Sequence, residues 1–338
     1  MRGAPSKKTI GVAAVFTAAT LVVLTICAFF VGSSSVGVQE FWAWITGAPV
    51  SDAARSILIN VRLPRVIAAL LAGAGLAVSG AIIQAALDNP LASPNIIGIN
   101  SGAGLFVLLA ASFFPAMTWL TPLAAFAGAL CTALIIFGIA MGANASRLTV
   151  VLAGIAITAV FGAGMNTILI LNPDAYVGAS TFLVGGLAGV LFRDLVWPAG
   201  YIIFGLLAAF VTANNLNIMM LGDETAHSLG MNVTRARLLM LALAAALAGA
   251  SVSFAGLLAF VGLIVPHLCR FFVGNDNRLV LPFSAVVGAS FVVACDMASR
   301  VIFAPFEVPV GIVMAFLGGP FFIYLILRNR QGGPVAGD

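Results

Sequence analysis

The feature that most constrains this chain is its succession of long apolar runs separated by short polar stretches. A helix needs about 20 mostly apolar residues to cross a bilayer. Only 8% of the residues are charged, whereas soluble domains carry about 25%. We therefore predict an all-α, polytopic membrane protein with about ten transmembrane helices, forming a single domain over residues 1–338. The predicted spans are residues 10–31, 66–87, 96–114, 120–141, 148–171, 195–213, 238–258, 259–273, 279–303 and 308–327.

The stretches between the spans predict the topology. Residues 33–60 are polar enough to lie outside the membrane, with a short interfacial helix at 40–45 that places Trp42 and Trp44 at the headgroups. Residues 172–194 form a loop with a half-embedded helix. The first run lacks a clear signal-peptidase site, which favours a retained span. With the N-terminus inside, ten of the 15 Lys and Arg residues lie inside and five outside, so both termini are predicted to be cytoplasmic.

The longest polar interruption between late spans is residues 214–237, which this topology places inside. Its middle part, residues 221–230, predicts a short helix in which Asp223 is the N-cap, Glu224 favours the positive end of the dipole and Gly230 stops the helix. Thr234 is the predicted cap of the helix that follows. Two interpretations stay open from these residues alone: an ordinary loop, or a dock for a soluble partner.

Few ionisable groups lie within the spans, and this argues against several classes of membrane protein. Carriers coupled to protons or sodium usually have buried carboxylates, and aqueous channels usually have polar or charged rings. Protease motifs and a phosphate-binding loop are absent from the sequence, so we expect no enzymatic activity, no catalytic residue and no ATP binding by this chain. The four cysteines show no metal spacing, so neither a metal nor a cofactor is expected. The net charge of +4 gives no argument for nucleic acid.

Several motifs occur in a fixed order along the chain. They are Arg62-Leu63-Pro64-Arg65, Ser79-Gly80 with Gln84, Asn89-Pro90-Leu91-Ala92 with Pro94 and Gly98, Leu221 to Gly230, Phe260 to His267 with Arg270, Gly274 with Asp276, Asp296 with Arg300, Glu307 with Pro309 and Gly311, and Gly318 with Pro320 and Phe322. Together they resemble the FecCD family of ABC-transporter permeases, which import ferric siderophores, haem and cobalamin. The resemblance runs from about residue 55 to residue 328. Asn277 stands where the family usually has His.

The resemblance implies a type II ABC importer permease with ten helices in each subunit. It implies a second permease subunit, identical or paralogous, two cytosolic ATP-binding subunits and an extracytoplasmic substrate-binding protein. The bacterial cytoplasmic membrane is the implied location, and membrane lipid surrounds the bundle. Residues 215–232 match the family's coupling helix, which favours the dock over the loop. The implied coupling residues are Leu221, Gly222, Asp223, Glu224, Thr225, Ala226, Leu229 and Gly230.

Two further predictions concern polar side chains: a group of three arginines on the outer face, and one asparagine within a span. Arg62, Arg65 and Arg300 lie outside against the general trend, and Arg can grip carboxylates with two parallel hydrogen bonds; we predict that they dock the binding protein. The alternatives are interfacial snorkelling or an internal pair with Asp296 or Glu307.

Asn166, a polar amide deep in the fifth span, is predicted to face the translocation path. The alternative is a hydrogen bond between helices.

The mechanism that the resemblance implies is alternating access driven by ATP hydrolysis in the partner subunits. A ferric siderophore is the expected substrate, with haem or cobalamin as alternatives. A secondary carrier of metal chelates is the alternative from a different class of protein.

Overall fold

The computed structural model describes residues 7–32, 37–142 and 147–329, which fold into α-helices joined by turns. A six-residue π-helical segment, Ile57–Arg62, leads directly into the fourth helix. The α-helices are α1 (Lys7–Phe30), α2 (Val38–Thr46), α3 (Asp52–Ser56), α4 (Leu63–Ala86), α5 (Ile99–Phe113), α6 (Leu120–Gly142), α7 (Arg147–Leu171), α8 (Asp174–Val184), α9 (Phe192–Val211), α10 (Ala213–Met219), α11 (Asp223–Ser228), α12 (Val233–Ala255), α13 (Val261–Val273), α14 (Asn277–Val301) and α15 (Val310–Asn329).

The prediction of an all-α, multi-pass membrane protein is confirmed, although the count of ten spans is not. Among the described residues, seven helical stretches are long and apolar enough to cross a membrane, and they contain α1, α4, α6, α7, α9, α12 and α14. Three shorter apolar helices, α5, α13 and α15, occupy the other predicted spans. Helix α13 has only 13 residues, because it begins after the positive-φ residue Phe260 and ends at Gly274, which also has a positive φ.

Helix α4 lies at the centre of the bundle. Of its most apolar window, 83% is buried. A Cβ atom added at Gly73 would lie 2.2 Å from the backbone oxygen of Gly288, and one at Gly80 would lie 1.9 Å from that of Gly262. Glycine is therefore required at these two positions, because the backbones of α14 and α13 approach α4 directly.

Helices α1 and α7 lie at the periphery of the chain. Only 6% of the apolar window of α1 and 22% of that of α7 are buried. The surfaces that these two helices present are apolar, so they face lipid or another membrane subunit.

The contacts between helix ends define two faces of the bundle. The N-terminal face contains the start of α1, the end of α4 and helices α10 and α11. The opposite face contains the end of α1, the start of α4 and the end of α14. The predicted short helix at residues 40–45 is confirmed as α2, whose Trp42 is exposed, and the predicted helix within residues 172–194 is confirmed as α8. The place of α2 at the headgroups stays a prediction.

Candidate functional site

The coupling segment, residues 221–230, contains the short helix α11 between two glycines. The predicted N-cap at Asp223 is wrong. Gly222 takes that position with φ +99°, and the carboxylate of Asp223 instead accepts hydrogen bonds from Arg237.

The predicted stop at Gly230 is confirmed. Gly230 has φ +84°, its N–H donates to His227 O at 2.9 Å, and the next N–H closes back to Ala226 O at 3.1 Å, which is a Schellman end.

The cap of α12 also differs from the prediction. Thr234 lies inside the helix, and Asn232 is the N-cap, since its Oδ1 accepts a hydrogen bond from the N–H of Arg235 at 3.0 Å. Asn and Thr both serve as N-caps, so the two residues compete for the same role in the sequence. The structure starts α12 two residues earlier than a cap at Thr234 would allow.

The coupling segment presents a surface that mixes apolar and acidic groups. Leu221 and Leu229 are 60% and 62% exposed, and Glu224 and Thr225 between them are exposed as well. Ala226 is fully buried and holds the segment to the bundle. A cleft of about 550 Å³ lies beside the segment, lined by both of its ends and by the start of α12. Such a surface is suited to a protein partner.

Arg237 connects this exposed segment to the centre of the bundle. Its Nη2 donates to the two carboxylate oxygens of Asp223 at 2.7 and 2.9 Å. Its Nε donates to the carbonyl of Ala86, at the end of α4, at 3.1 Å. The Arg237 side chain is only 3% exposed. The buried guanidinium group therefore links α11 to the end of α4.

A second connection, which the sequence reasoning missed, joins α10 to the start of α14. Asn217 Nδ2 donates to Asp276 Oδ1 at 2.7 Å, and Asn217 Oδ1 accepts from the backbone N–H of Asn277 at 2.8 Å. Arg278 Nη2 donates to Asn214 Oδ1 at 2.8 Å. The sequence signal was the cluster of three Asn residues at positions 214–217. Asn277, which replaces the family's usual His, is fully buried here and also donates to Asn217.

At the opposite face, the three predicted docking arginines lie together in an arginine cluster with Asp296 and Glu307. Arg65 Nε donates to the Asp296 carboxylate at 2.9 Å, and Arg65 Nη1 donates to Glu307 at 2.6 Å. Arg300 also pairs with Asp296. The three arginines are only 3–7% exposed.

The same cluster fixes the end of α1. Arg300 Nη1 donates to the carbonyls of Ala28 and Val31 at 3.0 Å each, and Arg62 donates to that of Phe29. The contacts are those that the internal-pair alternative requires, and the guanidinium groups do not form a free basic surface in this structure. The docking role of the three arginines stays a prediction.

Asn166 lies on α7 and is exposed on the surface of the chain. Within the described residues its side chain makes no hydrogen bond, so the helix-to-helix bond that was its alternative role is not formed inside this chain. Its place in a translocation path stays a prediction. Among the described residues, no three His, Cys, Asp or Glu side chains lie close enough together to hold a metal ion.

Apolar helices around a small-residue centre, with a capped helix exposed at one face, define a multi-pass membrane protein. Residues 20–328 match the family model for the FecCD transport family. The chain belongs to this family.

Relatives and a solved structure agree with this assignment. The hemin transport system permease protein of Yersinia pestis is 37% identical over 317 residues, covering 92% of this chain and 94% of the relative. The iron(3+)-hydroxamate import system permease protein of Bacillus subtilis is 40% identical, covering 89% of this chain and 79% of the relative. A structure described as an inward-facing conformation of a metal-chelate type ABC transporter has a TM-score of 0.81 and 25% identity, covering 92% of this chain and 97% of its own.

Proposed function

We propose that the chain is the transmembrane permease subunit of a binding-protein-dependent ABC importer, and that it translocates an iron chelate by alternating access. The observation that carries the proposal is the exposed coupling segment, tied through Arg237 to the central helix α4. An ATPase that grips Leu221 and Leu229 would move α11, and the two hydrogen-bonded connections would pass that movement to α4 and α14. ATP hydrolysis belongs to two partner subunits, because this sequence has no phosphate-binding loop.

The location of the coupling segment agrees with the charge distribution. The N-terminal face carries the excess of Lys and Arg, so we assign it to the cytoplasm, where ATP is available. The opposite face then meets an extracytoplasmic binding protein.

The path itself is proposed to lie between two permease subunits. The peripheral α7 carries Asn166 and a mostly exposed apolar surface, which a second subunit would cover. Because a binding protein delivers the ligand, a weakly polar path is adequate. The arginine cluster remains the proposed contact for that binding protein, and docking would require its arginines to exchange internal carboxylates for external ones.

The substrate class is proposed from the relatives. One relative is described as a hemin permease and another as an iron-hydroxamate permease, at similar identity. A ferric siderophore is our first candidate, and haem or cobalamin are the alternatives.

Reconstitution into liposomes tests the proposal. The permease is combined with a candidate ATPase pair and a binding protein, and the uptake of radiolabelled ferric hydroxamate is measured. We expect uptake that requires ATP and all components, together with ATP hydrolysis that the loaded binding protein stimulates. Uptake by the permease alone, driven by a proton or sodium gradient, would instead establish the secondary-carrier alternative.

A further inference from the structure

An apolar groove runs between α1 and the adjacent helices α13 and α14, away from the coupling segment and the arginine cluster. Its volume is about 680 Å³, and its walls include Ala13 and Phe16 from α1, Phe272 from α13, and Phe283 and Val287 from α14. This volume lies in the range of about 300–1,000 Å³ that is typical of ligand pockets.

Hydrogen bonds hold the far end of α1 against the bundle. At the opposite face, the arginine cluster binds the last carbonyls of α1, and Ala28 is 1% exposed. Toward the N-terminal face, Val12 and Phe16 are 71% and 70% exposed. The first half of α1 therefore packs loosely beside α13 and α14, and the groove between them opens sideways toward the bilayer.

The length of the groove matches one leaflet of the bilayer. It extends along α1 from Lys8 to Thr20, which is about 18 Å at the helical rise of about 1.5 Å per residue. Half of the hydrocarbon core is about 15 Å thick. The groove thus spans the leaflet at the N-terminal face and ends near the middle of the membrane.

The polar groups in the groove wall are satisfied internally. Thr17 and Thr20 donate to the carbonyls of Ala13 and Phe16 at 2.9 and 2.8 Å, and Ser290 donates to that of Val286 at 2.9 Å. The wall therefore offers hydrocarbon contact and no hydrogen-bond recognition. A polar metabolite has nothing to bind there, whereas an acyl chain does.

The mouth of the groove carries a positive charge. Lys8 lines the groove at the N-terminal face, and no carboxylate of the described residues pairs with its ammonium group. Basic groups beside a cleft between membrane helices bind anionic lipid headgroups. We propose that this groove is a binding site for one anionic phospholipid, whose acyl chain lies between α1 and α13–α14 and whose headgroup phosphate contacts Lys8. Under the proposed topology, this lipid belongs to the cytoplasmic leaflet.

Fluorescence quenching in nanodiscs tests the proposal. The native Trp residues are replaced by Phe, and a reporter is placed in the groove with Phe16→Trp, or on an exposed part of α1 outside the groove with Val15→Trp. The probes are brominated phosphatidylglycerol and brominated phosphatidylcholine. We expect the groove reporter to be quenched by the anionic lipid at about one fifth of the mole fraction that the zwitterionic lipid needs, since one Lys contributes about 1 kcal/mol. The Val15→Trp reporter should show no preference.

Matched variants separate the site from general lipid contact. Lys8→Gln should remove the preference, and Arg55→Gln, an exposed cation at the opposite face, should leave it unchanged. Ala13→Phe, which fills the groove, should reduce quenching at the groove reporter by both lipids, whereas Ala14→Phe should not.

Equal quenching by the two lipids, or a preference that survives Lys8→Gln, would overturn the proposal. A groove reporter that neither lipid quenches would mean that protein covers the groove, which also overturns it. Should Ala13→Phe fail to fold, Lys8→Gln decides alone.

Discussion

An Arg–Asp pair lies at each face of this molecule, and the two pairs differ in their surroundings. At the opposite face, Arg65 and Asp296 are both buried, with side chains 9% and 1% exposed. At the N-terminal face, Arg237 is 3% exposed, whereas its partner Asp223 is 49% exposed. The first pair joins α4 to α14 inside the bundle. The second leaves its carboxylate on an exposed surface, which is where we propose that the ATPase acts.

The largest expected effect comes from breaking the buried pair. Asp296→Ala would leave the guanidinium groups of Arg65 and Arg300 buried without their shared carboxylate. Removing one partner of a buried pair costs about 3–5 kcal/mol, so we expect a large drop in thermal stability of the purified protein. Asp52→Ala removes an exposed carboxylate from the first turn of α3 and should cost less than about 1 kcal/mol. Equal melting temperatures for the two variants would show that the cluster is not the rigid part.

A smaller effect distinguishes the two possible caps beside the coupling segment. Asn232→Ala removes the side chain that caps α12 and should destabilise the start of this helix by about 1 kcal/mol. Thr234→Ala, inside the helix, should have almost no effect. Hydrogen exchange of the α12 amides measures both. Faster exchange in Thr234→Ala than in Asn232→Ala would restore the cap that the sequence predicted.

The smallest expected effect concerns the docking role of the arginine cluster. If docking draws Arg62 out of the cluster to contact the binding protein, Arg62→Gln should lower the association rate a few-fold and weaken its dependence on ionic strength, because charges that reach the partner act mainly on encounter. A single exposed ion pair contributes only about 0.2–1 kcal/mol. Arg55→Gln is the control at the same face. An unchanged association rate together with a lower melting temperature would assign Arg62 to an internal role alone.

The sequence predicted what depends on local pattern. The helical spans and the stop at Gly230 both follow from composition and spacing within one element. The pairing of Arg65 with Asp296 joins positions 231 residues apart, so no local pattern could assign it. For the same reason, Asp223 has the residue type of an N-cap, but its partner Arg237 comes from another helix and changes its role.

The lengths of α5 and α13 show the same limit. The prediction extended both helices through apolar sequence, whereas the structure begins each at a residue with positive φ, Gly98 and Phe260. At Phe260 this conformation is unfavourable for an L-residue, and its ring fits against Gly318 of α15. Packing between helices therefore sets where these two helices begin.

The central claim is that an ATPase acts on the bundle through the coupling segment, and the most direct measurement is ATPase binding and coupling by segment variants. We expect Leu229→Asp and Glu224→Arg to lose co-purification of the ATPase, or to abolish binding-protein-stimulated ATP hydrolysis, while their melting temperatures stay at the wild-type value. Leu191→Asp makes the same change at an exposed leucine of the opposite face and should leave both properties unchanged. Wild-type ATPase binding and wild-type stimulated hydrolysis in both segment variants would contradict the account.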